Sequence, residues 1–362
     1  MLKKRGAGVL FHISSVPGDY GVGVFDENAL HFIDKISEMG FSYWQVLPFN
    51  PLDGANSPYC SPSAFAGNYL FINPKGLVED GLVSQADAAS NIYTGSPYTA
   101  DYEFAAKQRY KLLKKAFLNI DDETAKSIKQ FELENPWLTD YAVFMAVKEQ
   151  NGGAPWWKWG EKQARYFSCI KDIFTYEESA AFWKFVQYIF FKQWFKIKKY
   201  ANEKGIAVIG DMPFYVAMDS VDVWADLPLF KIDEKTLTAK KVAGVPPDYF
   251  SENGQLWGNP IYNWDAMKKD GYKWWLSRLG AALKTYDIVR IDHFRAFASY
   301  WEVPADSETA KTGEWVKGPG MDLFEKVFEK FPDAPVGSFR RGCYAAAERH
   351  GISRNEGGAI RL

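Results

Sequence analysis

Apolar and polar positions along the chain alternate between strand-like runs and helix-like stripes. "GAGVLFHI" at 6–13 reads as a strand, "DENALHFIDKISEMG" at 26–40 as a helix closing on Gly40, and "SYWQVLPF" at 42–49 as the next strand. Residues 75–135 change character: "QADAAS", "DYEFAAKQRYKLLKKAF" and "DDETAKSIKQFELE" are helical, with no convincing strand between them. The alternation resumes with a long helix through "FWKFVQYIFFKQWFKIKKYANEKG" and the strand "IAVIGDMPF" at 206–214. A long loop rich in Gly, Pro and Asp follows, then the helix "DGYKWWLSRLGAALKTY", then a strand in "YDIVRIDHFRAF" at 286–297. Strands alternating with helices predict a parallel sheet, and polar residues gathered where strands end are the habit of a (β/α)8 barrel. Three strands here end that way, in "VLFHISS", "VIGDMPF" and "VRIDHFR". A doubly wound sheet has the same periodicity, but no G-x-G-x-x-G or Walker loop supports it.

The last of those strands is unusual. Ile288, Val289 and Ile291 suit a buried strand, yet Arg290, Asp292, His293 and Arg295 are threaded through and just past it. Burying such charges is costly unless they are paired or do chemistry. Beside the Arg290 guanidinium, Asp292 stays ionised, and an ionised, positioned carboxylate is what a retaining glycosidase uses as nucleophile. An ion pair that merely closes a barrel strand is the plainer alternative.

Composition narrows the field. The 362 residues can bury one large core or two ordinary ones, and 47% are hydrophobic. A net charge of −2 gives no electrostatic case for nucleic acid or an anionic membrane. Cys60, Cys169 and Cys343 are too few and too scattered for a disulfide framework or a zinc site, so a reducing, cytoplasmic setting is expected. The basic start meets His12 after a short apolar run and makes a poor signal peptide. The most apolar helix is interrupted by Lys184, Gln187, Lys192 and Lys196, which argues against a membrane span. Aromatics reach 17%, including 14 Trp, a composition that suits either a large aromatic core or stacking on sugar rings.

Three loops add detail. "SPYCSPSAFAGN" at 57–68 offers Ser57 and Tyr59 among turn residues. "GDMPFYVAMDSVDVWADLPLF" at 210–230 sets Asp211 at a strand end. "GVPPDYFSENGQLWGNP" at 244–260 carries Asp248, Gln255 and Trp257. Each alone could be an ordinary loop. Together with "LFHISSVPGDYGVG" at 10–23, "VRIDHFRAF" and "TAKTGEWVKGPG" at 309–320, they are specific: residues 5–336 resemble the 4-α-glucanotransferases (amylomaltases, or disproportionating enzymes) of glycoside hydrolase family 77 in the α-amylase superfamily.

The resemblance implies an α/β fold, a (β/α)8 TIM barrel with a helical insertion. It also implies a retaining mechanism on α-1,4-glucans and maltooligosaccharides with no metal and no organic cofactor. Asp292 matches the nucleophile and Arg290 the arginine that keeps it ionised. Asp211 and His293 match residues that hold the sugar beside the scissile bond, Tyr59 an aromatic platform there, and Trp257 a cover over bound glucan. Ser57 and Asp248 are further substrate-binding candidates. The organisation expected is 1–74 for the first barrel strands and a substrate loop, 75–135 for a helical insertion, 136–336 for the barrel's continuation and 337–362 for a divergent tail.

That tail departs from the rest: five of the 11 arginines fall in 340–362, and no lysine lies after Lys330. The family's acid/base glutamate belongs to the strand after "VRIDHFR"; this sequence diverges in that stretch, and the glutamate is absent, as is the family's later His-Asp pair. The expectation is therefore a C-terminally truncated or frameshifted chain, an incomplete barrel and little activity, with nothing to promote Glu348 to the missing role. An α-glucan hydrolase on the same scaffold and a non-catalytic α-glucan-binding fragment are the other readings. Oligomeric state has no marker in the sequence.

Overall fold

A computed structural model describes residues 6–166 and 173–332. The tail from 333 onward, Glu348 included, lies outside the described residues. The chain forms two compact units. One comprises Gly6–Gly210 with Asp219–Ala225; the other holds Asp211–Met218 and the chain from Asp226 onward.

In the first unit, strands β1 (Gly8–Leu10), β2 (Tyr43–Gln45) and β3 (Ala207–Met212, whose last two residues belong to the second unit) pair in parallel, Gly8 opposite Tyr43 and Tyr43 opposite Ala207. The helix Glu27–Glu38 between β1 and β2 starts on Asp26, whose carboxylate accepts from the Asn28 and Ala29 N–H groups and so satisfies two of the donors a helix start leaves orphaned. It stops at Gly40, which takes the left-handed conformation (φ +80°) that a residue with a Cβ resists. Residues 74–134 run through the helices Pro74–Glu79, Gln85–Ala89, Tyr102–Phe117 and Asp122–Glu134, with no strand among them.

The long helix Glu177–Glu203 is the spine of this unit. Its buried face carries Phe182, Trp183, Phe185, Phe190 and Trp194, and the Trp194 ring meets Phe49 edge-on at 4.6 Å. Gln187, read from sequence as an interruption of an apolar stretch, is fully buried for a specific reason. Its side chain accepts from the Gly67 N–H at 2.7 Å and donates to the Gly67 carbonyl at 2.9 Å. Gln193 does the same for Asn73, accepting at 2.7 Å and donating at 3.2 Å. The two glutamines thus pair with backbone at the end of the 57–68 loop and just beyond it, as a neighbouring strand would. Among the described residues no helix is long and apolar enough to cross a membrane.

The second unit contains a four-stranded antiparallel sheet, two strands of which lie in the stretch read from sequence as a long loop. Its order is β10 (Glu314–Lys317), β9 (Ser299–Pro304), β6 (Lys241–Val245), β7 (Gln255–Pro260). A shorter pair, β4 (Ile232–Asp233) and β5 (Thr238–Ala239), precedes it. The cause of the misreading is the connection between β6 and β7, whose two prolines and Gly254 mark a turn so strongly that the flanking strands are hidden. Strand β8 (Ile288–Ile291) lies beside the end of β3, and the Asp292 N–H donates to the Met212 carbonyl at 2.9 Å. Among the described residues, hydrogen bonding does not close the parallel strands into a barrel.

Candidate active site

The ends of β3 and β8 bring three charges together. Asp211 is the inner one, its side chain 1% exposed, and Arg290 Nη1 donates to its Oδ1 at 2.5 Å. The other terminal nitrogen, Nη2, donates to Asp292 Oδ1 at 2.6 Å. Asp292 is 40% exposed at its side chain, so the outer carboxylate of the trio is the one an incoming molecule can reach. Burial opposes the Arg290 charge, but Asp211 and Asp292 outweigh it and hold the guanidinium above its usual range. One planar fork thereby fixes two carboxylates, which a lysine's single point charge could not do in the same geometry.

His293 comes next in the chain and takes a left-handed backbone conformation (φ +46°) that is costly for a residue with a Cβ. The turn aims its ring into an aromatic group: Trp257 edge-on at 4.9 Å, and Phe214 and Tyr215 at 6.2 Å each. Burial holds the imidazole below its usual range; Asp292 opposes that shift and Arg295 adds to it. His293 is therefore neutral near pH 7, able to donate from one nitrogen and accept at the other. Trp257, on β7, is 36% exposed, and its indole N–H donates to Gln255 Oε1 at 3.0 Å. An open indole face beside a neutral imidazole can stack on a pyranose and bond its hydroxyls.

The other sequence candidates sit differently. Asp248 is exposed, and its carboxylate is engaged by its own loop, accepting from the Phe250 and Ser251 N–H groups at 2.9 and 2.8 Å. It shapes the β6–β7 connection, whose tip exposes Tyr249 and Phe250 almost completely, at 97% and 93%. Ser57 and Tyr59 belong to the first unit. There the Ser57 N–H donates to Asp53 Oδ1 at 2.9 Å, the Tyr59 N–H donates to Ser57 Oγ at 3.3 Å, and the Tyr59 ring is partly exposed. Among the described residues no cluster of three or more His, Cys, Asp or Glu is arranged to hold a metal ion.

Two residues escaped the sequence reading. Arg278 is buried and donates to the carbonyls of Pro213 (2.6 Å) and Phe214 (3.0 Å), which pins the turn that follows Asp211. A cation on the inward face of the helix Lys273–Thr285 was the signal, since burying one requires acceptors. Tyr215 is buried next to His293 and Trp257, with a hydroxyl that finds no hydrogen-bond partner among the described residues. Nothing in "MPFYVA" distinguishes it from a core aromatic.

This arrangement can be compared with known proteins. Residues 11–352 match the family model described as 4-alpha-glucanotransferase, of glycoside hydrolase family 77. The chain belongs to that family. The 4-alpha-glucanotransferase of Streptococcus pneumoniae is 47% identical over 343 residues, and that of Aquifex aeolicus 44% identical over 342. These alignments take in 92% and 91% of this chain but 67% and 68% of the relatives, so the chain spans about two thirds of their length. The structure of an amylomaltase from Streptococcus agalactiae in complex with acarbose superposes with a TM-score of 0.88 at 38% identity, covering 95% of this chain and 72% of that one. The α/β barrel class expected for the 4-α-glucanotransferase family therefore holds for this chain's fold.

Proposed function

We propose that the chain acts on α-1,4-glucans as a 4-α-glucanotransferase by a retaining double displacement centred on Asp292. The observation that carries this reading is the Arg290 bridge, which fixes a partly exposed Asp292 beside a buried Asp211. In the first step Asp292 attacks the anomeric carbon, the glycosidic C–O bond breaks, and the departing glucan oxygen takes a proton from a carboxylic acid. In the second, the hydroxyl of another glucan attacks the same carbon, the bond to Asp292 breaks, and the hydroxyl proton passes to the now ionised base.

The acid/base should lie roughly 5 Å from the nucleophile and be protonated at the start. Asp211 does not qualify, because its side chain is buried and its Oδ1 is already engaged by Arg290. The position of the family's glutamate falls in the divergent stretch outside the described residues, where the sequence carries no match to it, so little activity is expected of this chain. Asp211 and His293 would hold the sugar beside the scissile bond, and Trp257 would cover the bound chain and limit the entry of water. Ser57, Tyr59 and Asp248 remain candidates for contacts to the glucan.

The test is to incubate the purified chain with maltotriose and resolve the products. Glucose together with maltopentaose and longer glucans, abolished in Asp292→Asn, would support the transferase. Free reducing ends without elongation would favour an α-glucan hydrolase. Glucan binding that is unaffected by Asp292→Asn, with no products from either protein, would favour a binding fragment.

A further inference from the structure

A cavity of about 380 Å³ opens within the first unit, among the helices Tyr102–Phe117, Asp122–Glu134 and Glu177–Glu203. None of its lining residues belongs to the charged cluster or its aromatic neighbours. Its origin lies in residue size. Ala125 lines it from Asp122–Glu134, and Ala180 and Ala181 line it from Glu177–Glu203. Packed helices ordinarily interlock larger side chains and leave few voids. Methyl groups contributed by both helices leave space instead. Phe117 and the buried Ile128 complete an apolar wall, and the Phe117 ring is itself backed by Phe182 and Phe185 at 5.8 and 5.7 Å. A dry cavity of about 150 Å³ takes one benzene. This one is more than twice as large and falls in the size range of small-molecule sites.

Four charged side chains also line the cavity, and three of them are accounted for. Lys184 Nζ donates to Glu132 Oε1 at 2.5 Å, and the same oxygen accepts from the Thr139 hydroxyl at 2.6 Å. That pair is partly buried and satisfied. Glu177 is the first residue of its helix, where the helix dipole favours a negative charge. Lys129 is the remainder. It is exposed and, among the described residues, pairs with no carboxylate. The cavity thus offers an apolar interior and one uncommitted cation.

We infer that this cavity is a binding site for a small amphipathic carboxylate, its apolar tail between the alanines and Phe117 and its carboxylate at Lys129. A sugar is a poor match, because its rim of hydroxyls would meet methyl and phenyl groups with few partners to offer. An alkyl tail needs none, and a single terminal anion answers the single free cation. The site is independent of the glucanotransferase reading.

Calorimetric titration of the full chain with hexanoate, octanoate, 1-octanol and octylamine tests this without relying on turnover. Each buried methylene should tighten binding about fourfold, so octanoate should bind roughly tenfold more tightly than hexanoate. Lys129→Gln, a change at an exposed position that leaves the fold intact, should weaken octanoate about two- to fivefold and leave 1-octanol unchanged. Ala125→Leu exchanges one good helix former for another and fills the space, so it should remove binding of both, with helix content by circular dichroism unchanged. Absence of saturable octanoate binding would overturn the site. Octylamine binding as tightly as octanoate would do the same, as would equal loss of octanoate and 1-octanol in Lys129→Gln.

Discussion

Arg290 governs two carboxylates of unequal exposure, and its substitutions should separate their roles. Arg290→Ala removes the cation that bridges the buried Asp211, which should destabilise the fold by about 3 kcal/mol in urea unfolding. Arg290→Lys keeps a charge but cannot bridge both partners, so a milder loss of stability should accompany a fall in transfer rate on the order of 10²-fold. Equal loss of stability in both variants would mean that charge alone, and not the fork, sets the geometry. His12 makes a separate prediction. It is buried between Phe49 and Phe71, its Nδ1 has no partner among the described residues, and burial lowers its pKa from 6.5 to about 3. Above pH 6.5 both folded and unfolded forms are neutral and the residue adds no pH dependence. Between 6.5 and about 3 only the unfolded chain takes up the proton, so stability falls with pH, by about 2 kcal/mol at pH 5. A His12→Leu variant should show a flatter stability profile across that window. Parallel profiles would assign the acid sensitivity elsewhere.

At the scale of elements, the glutamine pairing on the long helix is the most sensitive contact outside the charged cluster. Gln187→Met keeps the volume but strands the Gly67 N–H and carbonyl in a buried position, a loss on the order of 3 kcal/mol in chemical unfolding. An unchanged unfolding midpoint would mean that water replaces the amide. The same comparison shows what the sequence could and could not convey. The strand ends carrying Asp211 and Asp292 were legible, because charges interrupting β-branched runs are expensive and therefore informative. The helices of 74–134 were legible from their period. The antiparallel sheet was not, since Lys241–Val245 and Gln255–Pro260 flank a turn-rich connection and Gln255–Pro260 is largely exposed, with no alternation to read. Gln187 and Tyr215 were opaque for a common reason. A buried polar group is recognisable only through its partners, and Gln187 finds its own 120 residues away.

For the whole molecule, the net charge of −2 and a neutral glucan ligand imply that association owes little to long-range fields. Glucan affinity should change by less than about twofold between low and high salt. A steep salt dependence would instead point to an anionic ligand at Arg290 or Arg295. The glutamine pairs have one more consequence, for how the chain tolerates changes of length. Gln187 meets Gly67 and Gln193 meets Asn73, each across the same 120 positions, so the two short intervals advance in step. Inserting or deleting one residue between 67 and 73, or between 187 and 193, puts the two pairings out of phase and breaks at least one of them. The stretch from 74 to 186 lies inside the closed loop and is under no such constraint from this contact. A change of length there leaves both pairings in register, so its cost comes only from the packing of the helices it touches.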